Sequence, residues 1–167
     1  MPGSNGHSSS VDGRTAALVA ELVSSRDEFL AALDAVDPAR LAEPGLVGEW
    51  SGRELIAHLG YWAGHAVEVI QAAEFGRVES FGKGQPSVDE VNATVARVAR
   101  HTDLVTAQAR ERASAEVLVE RLRALDPVLL DLRLPDGATV EEGIREDGAE
   151  HYREHTQQLR EAAGRDR

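Results

Sequence analysis

Cysteine is missing altogether from the chain. Its absence excludes a disulfide framework, a thiolate-bound metal, an iron–sulfur cluster and a cysteine nucleophile. Positive charge is also in short supply. Eighteen lysines and arginines stand against 29 aspartates and glutamates, leaving a net charge of −11. An excess of that size repels phosphate backbones, so no nucleic acid is expected as a partner. Long apolar runs are lacking too. Nothing approaches the roughly 18 residues that a membrane helix needs, and the opening residues MPGSNGHSSSVDG have no apolar core of the kind a secretory signal requires. The expectation is a cytoplasmic protein with no membrane partner, whose residues 1–13 form a flexible, uncleaved leader.

What remains is globular in composition, with 42% hydrophobic and 28% charged residues. A chain of 167 residues can bury about 70% of its unfolded surface in one core, and residues 14–165 read as a single domain. Apolar residues recur at helical spacing in four blocks. The first stripe, Leu18, Leu22, Ser25, Phe29, Leu33 and Val36, belongs to a helix starting near Asp12 and stopped by Asp37-Pro38. The second opens at Ser51, with Glu54 completing a capping box, and runs through Leu55, His58, Leu59, Trp62, Ala66, Val69 and Ala73 to Phe75-Gly76. A glycine-rich loop follows.

Ser87 with Glu90 opens the third helix, whose seam reads Val88, Val91, Val95, Val98, Thr102, Val105 and Ala109, with a bend expected near Ser114. The segment VLLDLRLPDG reads as a short extended stretch ending in the turn Pro135-Asp136-Gly137. Thr139 with Glu142 then opens a last helix to about Ala163. Four amphipathic helices with almost no β-branched alternation predict an all-α four-helix bundle.

The chemistry gathers on the last helix. Its inward stripe, Val140, Ile144, Gly148, His151, His155 and Leu159, carries two histidines four residues apart. Such a pair stacks about 6 Å apart, close enough to share an ion. His58 lies on the buried stripe of the second helix, so a third imidazole can reach the same interior. With no thiolate in the chain, three imidazoles suit zinc, nickel, copper or ferrous iron, and three protein ligands leave an open position. Histidine pairs at this spacing also arise by chance on acidic helices. His65 is either an acid/base group at a pocket mouth or a packed structural histidine. Glu150 and Glu154 are either a solvated face or carboxylates that orient a ligating imidazole. Tyr152 lies about 100° off the histidine face and is expected to pack on a neighbouring helix.

Two runs, GEWSGRELIAHLGYW (48–62) and EHYREHTQQLR (150–160), resemble the second-helix and last-helix signatures of the DinB-like four-helix-bundle superfamily. The resemblance extends in order and spacing over nearly the whole chain. It implies that His58, His151 and His155 bind a divalent metal such as zinc, nickel or iron. It also implies a low-molecular-weight thiol as cosubstrate, since relatives include mycothiol- and bacillithiol-dependent transferases and isomerases, and pairing as a homodimer. One departure stands out: Glu146-Asp147-Gly148 occupies the place where many members carry an Asn-Thr pair.

The leading expectation is thus a metal-dependent transferase, isomerase or hydrolase acting on an electrophilic small molecule through an activated thiol or water. The alternative is a non-catalytic binding or self-protection protein that sequesters a small metabolite in the bundle cavity. A third reading leaves the histidines only a stabilising role.

Overall fold

Ser51, Ser87 and Thr139 each begin a helix in the manner their sequence predicts. In all three the residue three positions on, Glu54, Glu90 or Glu142, reaches back to the backbone N–H of the cap. The computed structural model describes residues 8–165. Within them lie α1 (Ser8–Asp34), α2 (Pro38–Ala42), α3 (Gly52–Glu74), α4 (Val88–Ala99), α5 (Leu104–Ala124), α6 (Val140–Arg145) and α7 (His151–Arg165). The chain is all-α, and no strand occurs among the described residues. Helices α1, α3, α5 and the α6–α7 pair form the four members of the bundle, with α4 laid against α3. Helix α1 begins at Ser8, earlier than the expected Asp12, and residues 1–7 of the expected leader lie outside the described residues.

The predicted stripe of α1 is buried along its whole length, with Phe29 and Leu33 almost fully so. It meets Leu55, Leu59 and Ile70 of α3, Leu118 and Leu122 of α5, and Leu159 of α7 in one core. Each such side chain contributes about 1.5–3 kcal/mol through burial. One polar tie crosses this core. Glu111 of α5 accepts two hydrogen bonds from the Arg26 guanidinium of α1, both at 2.7 Å, and a third from the Tyr152 hydroxyl of α7. Helix α3 closes over Glu111 through Gly60, where a Cβ would come within 2.9 Å of the Glu111 Cα. Only glycine permits that approach.

The third predicted helix is two helices. The chain breaks at Arg100–Asp103, not near Ser114, because Asp103 caps a new helix by accepting from the Thr106 N–H at 2.7 Å. The seam drawn through Val88, Val98 and Val105 is consequently exposed, and α4 and the start of α5 pack instead through Ala96, Ala99 and Ala107. The stretch before the last helix is also shorter in extension than expected. Pro127–Asp131 coils as a 3₁₀ turn, and only Arg133 pairs briefly with Thr139 around Gly137, whose φ of 94° suits glycine.

The last helix carries one feature its periodicity conceals. Glu146–Glu150 forms a wide, π-helical turn with non-helical backbone at Gly148. One extra residue is accommodated there, so the core-facing stripe after Ile144 continues through Tyr152, Thr156 and Leu159, all nearly inaccessible. His151 is thereby turned from the bundle axis toward α3.

Candidate functional site

Two helices and one turn build the imidazole cluster. His58 is presented from the second turn of α3, His151 and His155 from the first two turns of α7, and their ligand-capable nitrogens all lie within 4.8 Å of one another. Nε2 of His58 and Nε2 of His151 are 2.7 Å apart. The ring centroids stand 4.7 to 5.0 Å from one another. Trp50, held in a tight turn by the Val47 pairing, covers the cluster with its ring 4.6 Å from His58 and 6.4 Å from His155.

Burial decides the charge state. Desolvation, followed by the neighbouring imidazoles, holds His58 down at about 3, and the same causes hold His151 at about 4. His155 is lowered as well by its burial. All three rings are therefore neutral at pH 7 and offer lone pairs, as a metal ligand must. Nδ1 of His155 lies 2.8 Å from the Gln158 side-chain oxygen, an acceptor that fixes the proton on Nδ1 and leaves Nε2 bare. Gln158 thus performs the orienting task considered for Glu150 and Glu154, and Glu154 acts one step removed by accepting from the Gln158 amide.

The donor set fits a divalent ion. Two nitrogens each bound at about 2.1 Å to one ion stand about 3.0–3.4 Å apart, within the range spanned by the cluster. Nδ1 of His58 is buried without a hydrogen-bond partner, a condition that costs free energy, while its Nε2 is the nitrogen that faces His151.

His65 does not join this cluster. Its Nδ1 lies 2.7 Å from a carboxylate oxygen of Asp147, in the wide turn. Burial opposes the charge on His65, but the Asp147 hydrogen bond and charge outweigh it and raise the imidazole above its ordinary value. Asp147 is itself raised, burial dominating over the pairing with His65. The pair forms part of the wall of a cavity of about 400 Å³ between α3, the 81–91 segment and the wide turn. Four rings run along one side, Tyr61, Trp62, His65 and Phe81, with successive centroids 5.4, 5.0 and 5.2 Å apart. Trp62 is the partition. It lines the cavity while its other neighbours are His151 at 6.0 Å and His58 at 6.3 Å, and its indole N–H is held by the Asn92 side-chain oxygen of α4 at 3.0 Å.

Three members of this arrangement were not singled out from sequence as site residues: Trp50, Asn92 and Asp147. Trp50 lies in a stretch quoted for the resemblance, and Asp147 lies in its departure. Their roles depend on a turn and a break that periodicity does not show. Tyr152 packs against Phe29 at 5.8 Å, on a neighbouring helix as expected. His101 is exposed at the α4–α5 junction. No helix among the described residues is long and apolar enough to cross a membrane.

The model of the mycothiol maleylpyruvate isomerase N-terminal domain matches residues 22–156. No curated protein matches the sequence. Among solved structures, an uncharacterised protein from Escherichia coli UTI89 superposes with a TM-score of 0.76 at 16% identity, over 91% of this chain and 94% of that one. The colibactin self-resistance protein ClbS, solved in complex with a dsDNA, superposes with a TM-score of 0.71 at 16% identity, over 89% of this chain and 94% of its own.

These neighbours correct two expectations. The leading one, a metal-dependent enzyme that attacks an electrophile with an activated thiol or water, gives way to the alternative, because a protein of this fold serves in self-resistance. The geometry has a matching reason: the three imidazoles do not line the cavity, and the Trp62 ring screens them from it. The exclusion of nucleic acid also gives way, since that same neighbour is solved with a duplex. A net charge is a sum over the whole surface, whereas a duplex meets local charge, and Arg97 and Arg110 are exposed on the α4–α5 side, beside Arg100, which pairs with Glu54.

Proposed function

This chain belongs to the mycothiol maleylpyruvate isomerase N-terminal domain family, and we propose that it is a binding protein of the self-protection kind, sequestering a reactive small molecule in its bundle cavity without converting it. The observation that carries this reading is the ring-walled cavity of about 400 Å³, set beside the imidazole cluster and partitioned from it by Trp62. A pocket of that size takes a metabolite-sized ligand. His58, His151 and His155 would hold a zinc, nickel or ferrous ion, which supplies Lewis acidity when bound. In this reading its task is to tie α3, which carries Trp62, to the start of α7, which follows the wide turn that carries Asp147. The thiol cosubstrate implied by the resemblance has no part in it. His65, paired to Asp147, serves the cavity as a binding group and not as an acid or base.

Equilibrium dialysis of tag-free protein against a panel of epoxides and quinones tests the proposal. The expected result is saturable retention, with the compound recovered unchanged after the protein is denatured. Catalytic conversion, or retention unaffected by Phe81→Ala, overturns it. Elemental analysis of the same protein should find about one divalent ion per chain, lost on His58→Ala or His155→Ala. Because the neighbour ClbS was solved with a dsDNA, a labelled duplex is a second ligand to titrate. Binding that weakens with salt and on Arg97→Ala would place the protective act beside DNA.

A further inference from the structure

Resting on that reading of the cavity, the arrangement of its walls points to one class of ligand. We propose that the cavity binds a flat, unsaturated amine, with the ring system laid along Tyr61, Trp62 and Phe81 and the ammonium group turned to the carboxylates of the lining.

Two parts of the lining differ in kind. One is the chain of four rings described above, whose faces attract a cation as well as an apolar plane. The rest of the lining holds Glu146, Asp147 and Asp136 together with Leu134, Pro135 and Gly143, and it meets the rings where Asp147 pairs with His65. Lys83 is the single lysine or arginine of the lining, and His65 is already committed through Nδ1 to Asp147. Three carboxylates, the exposed Glu146 and Asp136 and the buried Asp147, against one lysine and one paired imidazole leave the lining negative.

The carboxylates feel one another. Glu146 is raised above the ordinary carboxylate range, by burial first and then by the charges of Asp147, Asp136 and Glu150. It has no cationic partner among the interactions that shift it. A ligand ammonium would relieve that crowding, whereas a carboxylate or phosphate would add to it. The site depends on the wide turn, which sets Glu146 and Asp147 on the cavity side while α7 keeps its histidines toward α3.

Three probes that share one bicyclic ring separate shape from charge: 1-naphthylmethylamine, 1-naphthylmethanol and 1-naphthylacetate. Each is titrated into the full-length protein by isothermal calorimetry and by ¹H–¹⁵N NMR, following the Trp62 indole N–H. The amine should bind at least 5-fold more tightly than the alcohol, with the acetate weakest, and the Trp62 signal should shift with the amine. Glu146→Gln should erase most of the amine's advantage and leave the alcohol unchanged. Asp136→Asn, on the exposed rim, should act in the same direction. Equal binding of amine and alcohol, or tighter binding of the acetate, overturns the assignment of an amine while leaving the cavity a binding site. No shift of the Trp62 signal with any probe overturns both.

Discussion

Replacing Glu111 by alanine should cost the bundle more than any surface change. The carboxylate is almost fully buried, its two bonds to Arg26 are both 2.7 Å, and the Tyr152 hydroxyl donates to it from a side chain with no solvent exposure. Removing one member of a buried ion pair costs about 3–5 kcal/mol. Orphaning a buried hydroxyl costs about 1–3 kcal/mol. The two overlap, and Arg26 keeps 19% side-chain exposure through which water can reach it, so the expected loss is about 4 kcal/mol. Unfolding a chain of 167 residues carries an entropy near 350 cal/mol/K at about 2.1 per residue, which converts that loss into a Tm lower by about 11 °C. Urea unfolding followed by circular dichroism measures it directly. Arg26→Met in the Glu111→Ala background removes the stranded charge, and a double-mutant cycle should return a coupling of at least about 1.5 kcal/mol. A single-variant loss below about 1 kcal/mol, or a coupling below about 0.5 kcal/mol, would refute the claim that this tie holds α1, α5 and α7 together.

Acid should destabilise the metal-free protein. The unfolded chain protonates His58 and His151 as pH falls through 6.5, whereas the folded rings resist until about 3 and about 4. Between those limits stability drops by about 1.4 kcal/mol per pH unit for each ring. His65 works in the opposite sense, its raised value adding stability at low pH that is lost as pH rises through its folded value. His155, lowered as well, acts with His58 and His151, and three rings outweigh one, so the urea midpoint in the presence of a chelator should fall between pH 7 and 5, and a flat profile would count against buried neutral imidazoles. Gln158→Ala should weaken metal binding by about 10–100-fold, as loss of an orienting acceptor does, read by competition with a chromophoric chelator. Gly60→Ala places a methyl 2.9 Å from the Glu111 Cα and should destabilise by about 1–3 kcal/mol, seen as a lower Tm; an unchanged Tm would show that α3 and α5 can part.

The long amphipathic elements were legible because their periodicity and their caps agree. Leu18 through Leu33 and Leu55 through Ala73 are buried as their spacing requires, and the three capping boxes open helices where expected. The meeting of His58 with His151 and His155 was legible for the same reason, since each sits on or beside a buried stripe. What periodicity could not show is where one regular helix stops being regular. The valine seam of 88–105 ran straight across a break that depends on the side chain of Asp103. Tyr152 was placed off the inward face, yet it is among the most buried residues of the chain, because the wide turn before it shifts the phase by one residue. The same turn hid the pairing of His65 with Asp147, two residues 82 positions apart.

That turn separates two things a single straight helix would couple. Removing one residue from 146–150 would let the segment close as an ordinary helix, with Ile144 and Tyr152 still directed at the core, since a widened turn is one insertion wrapped around an otherwise regular spiral. Where the lost residue is Glu146 or Asp147, it comes out of the chamber's acidic side and not out of the trio of imidazoles. A single-residue deletion at either position would thus alter the lining of the chamber while His58, His151 and His155 stay in the chain.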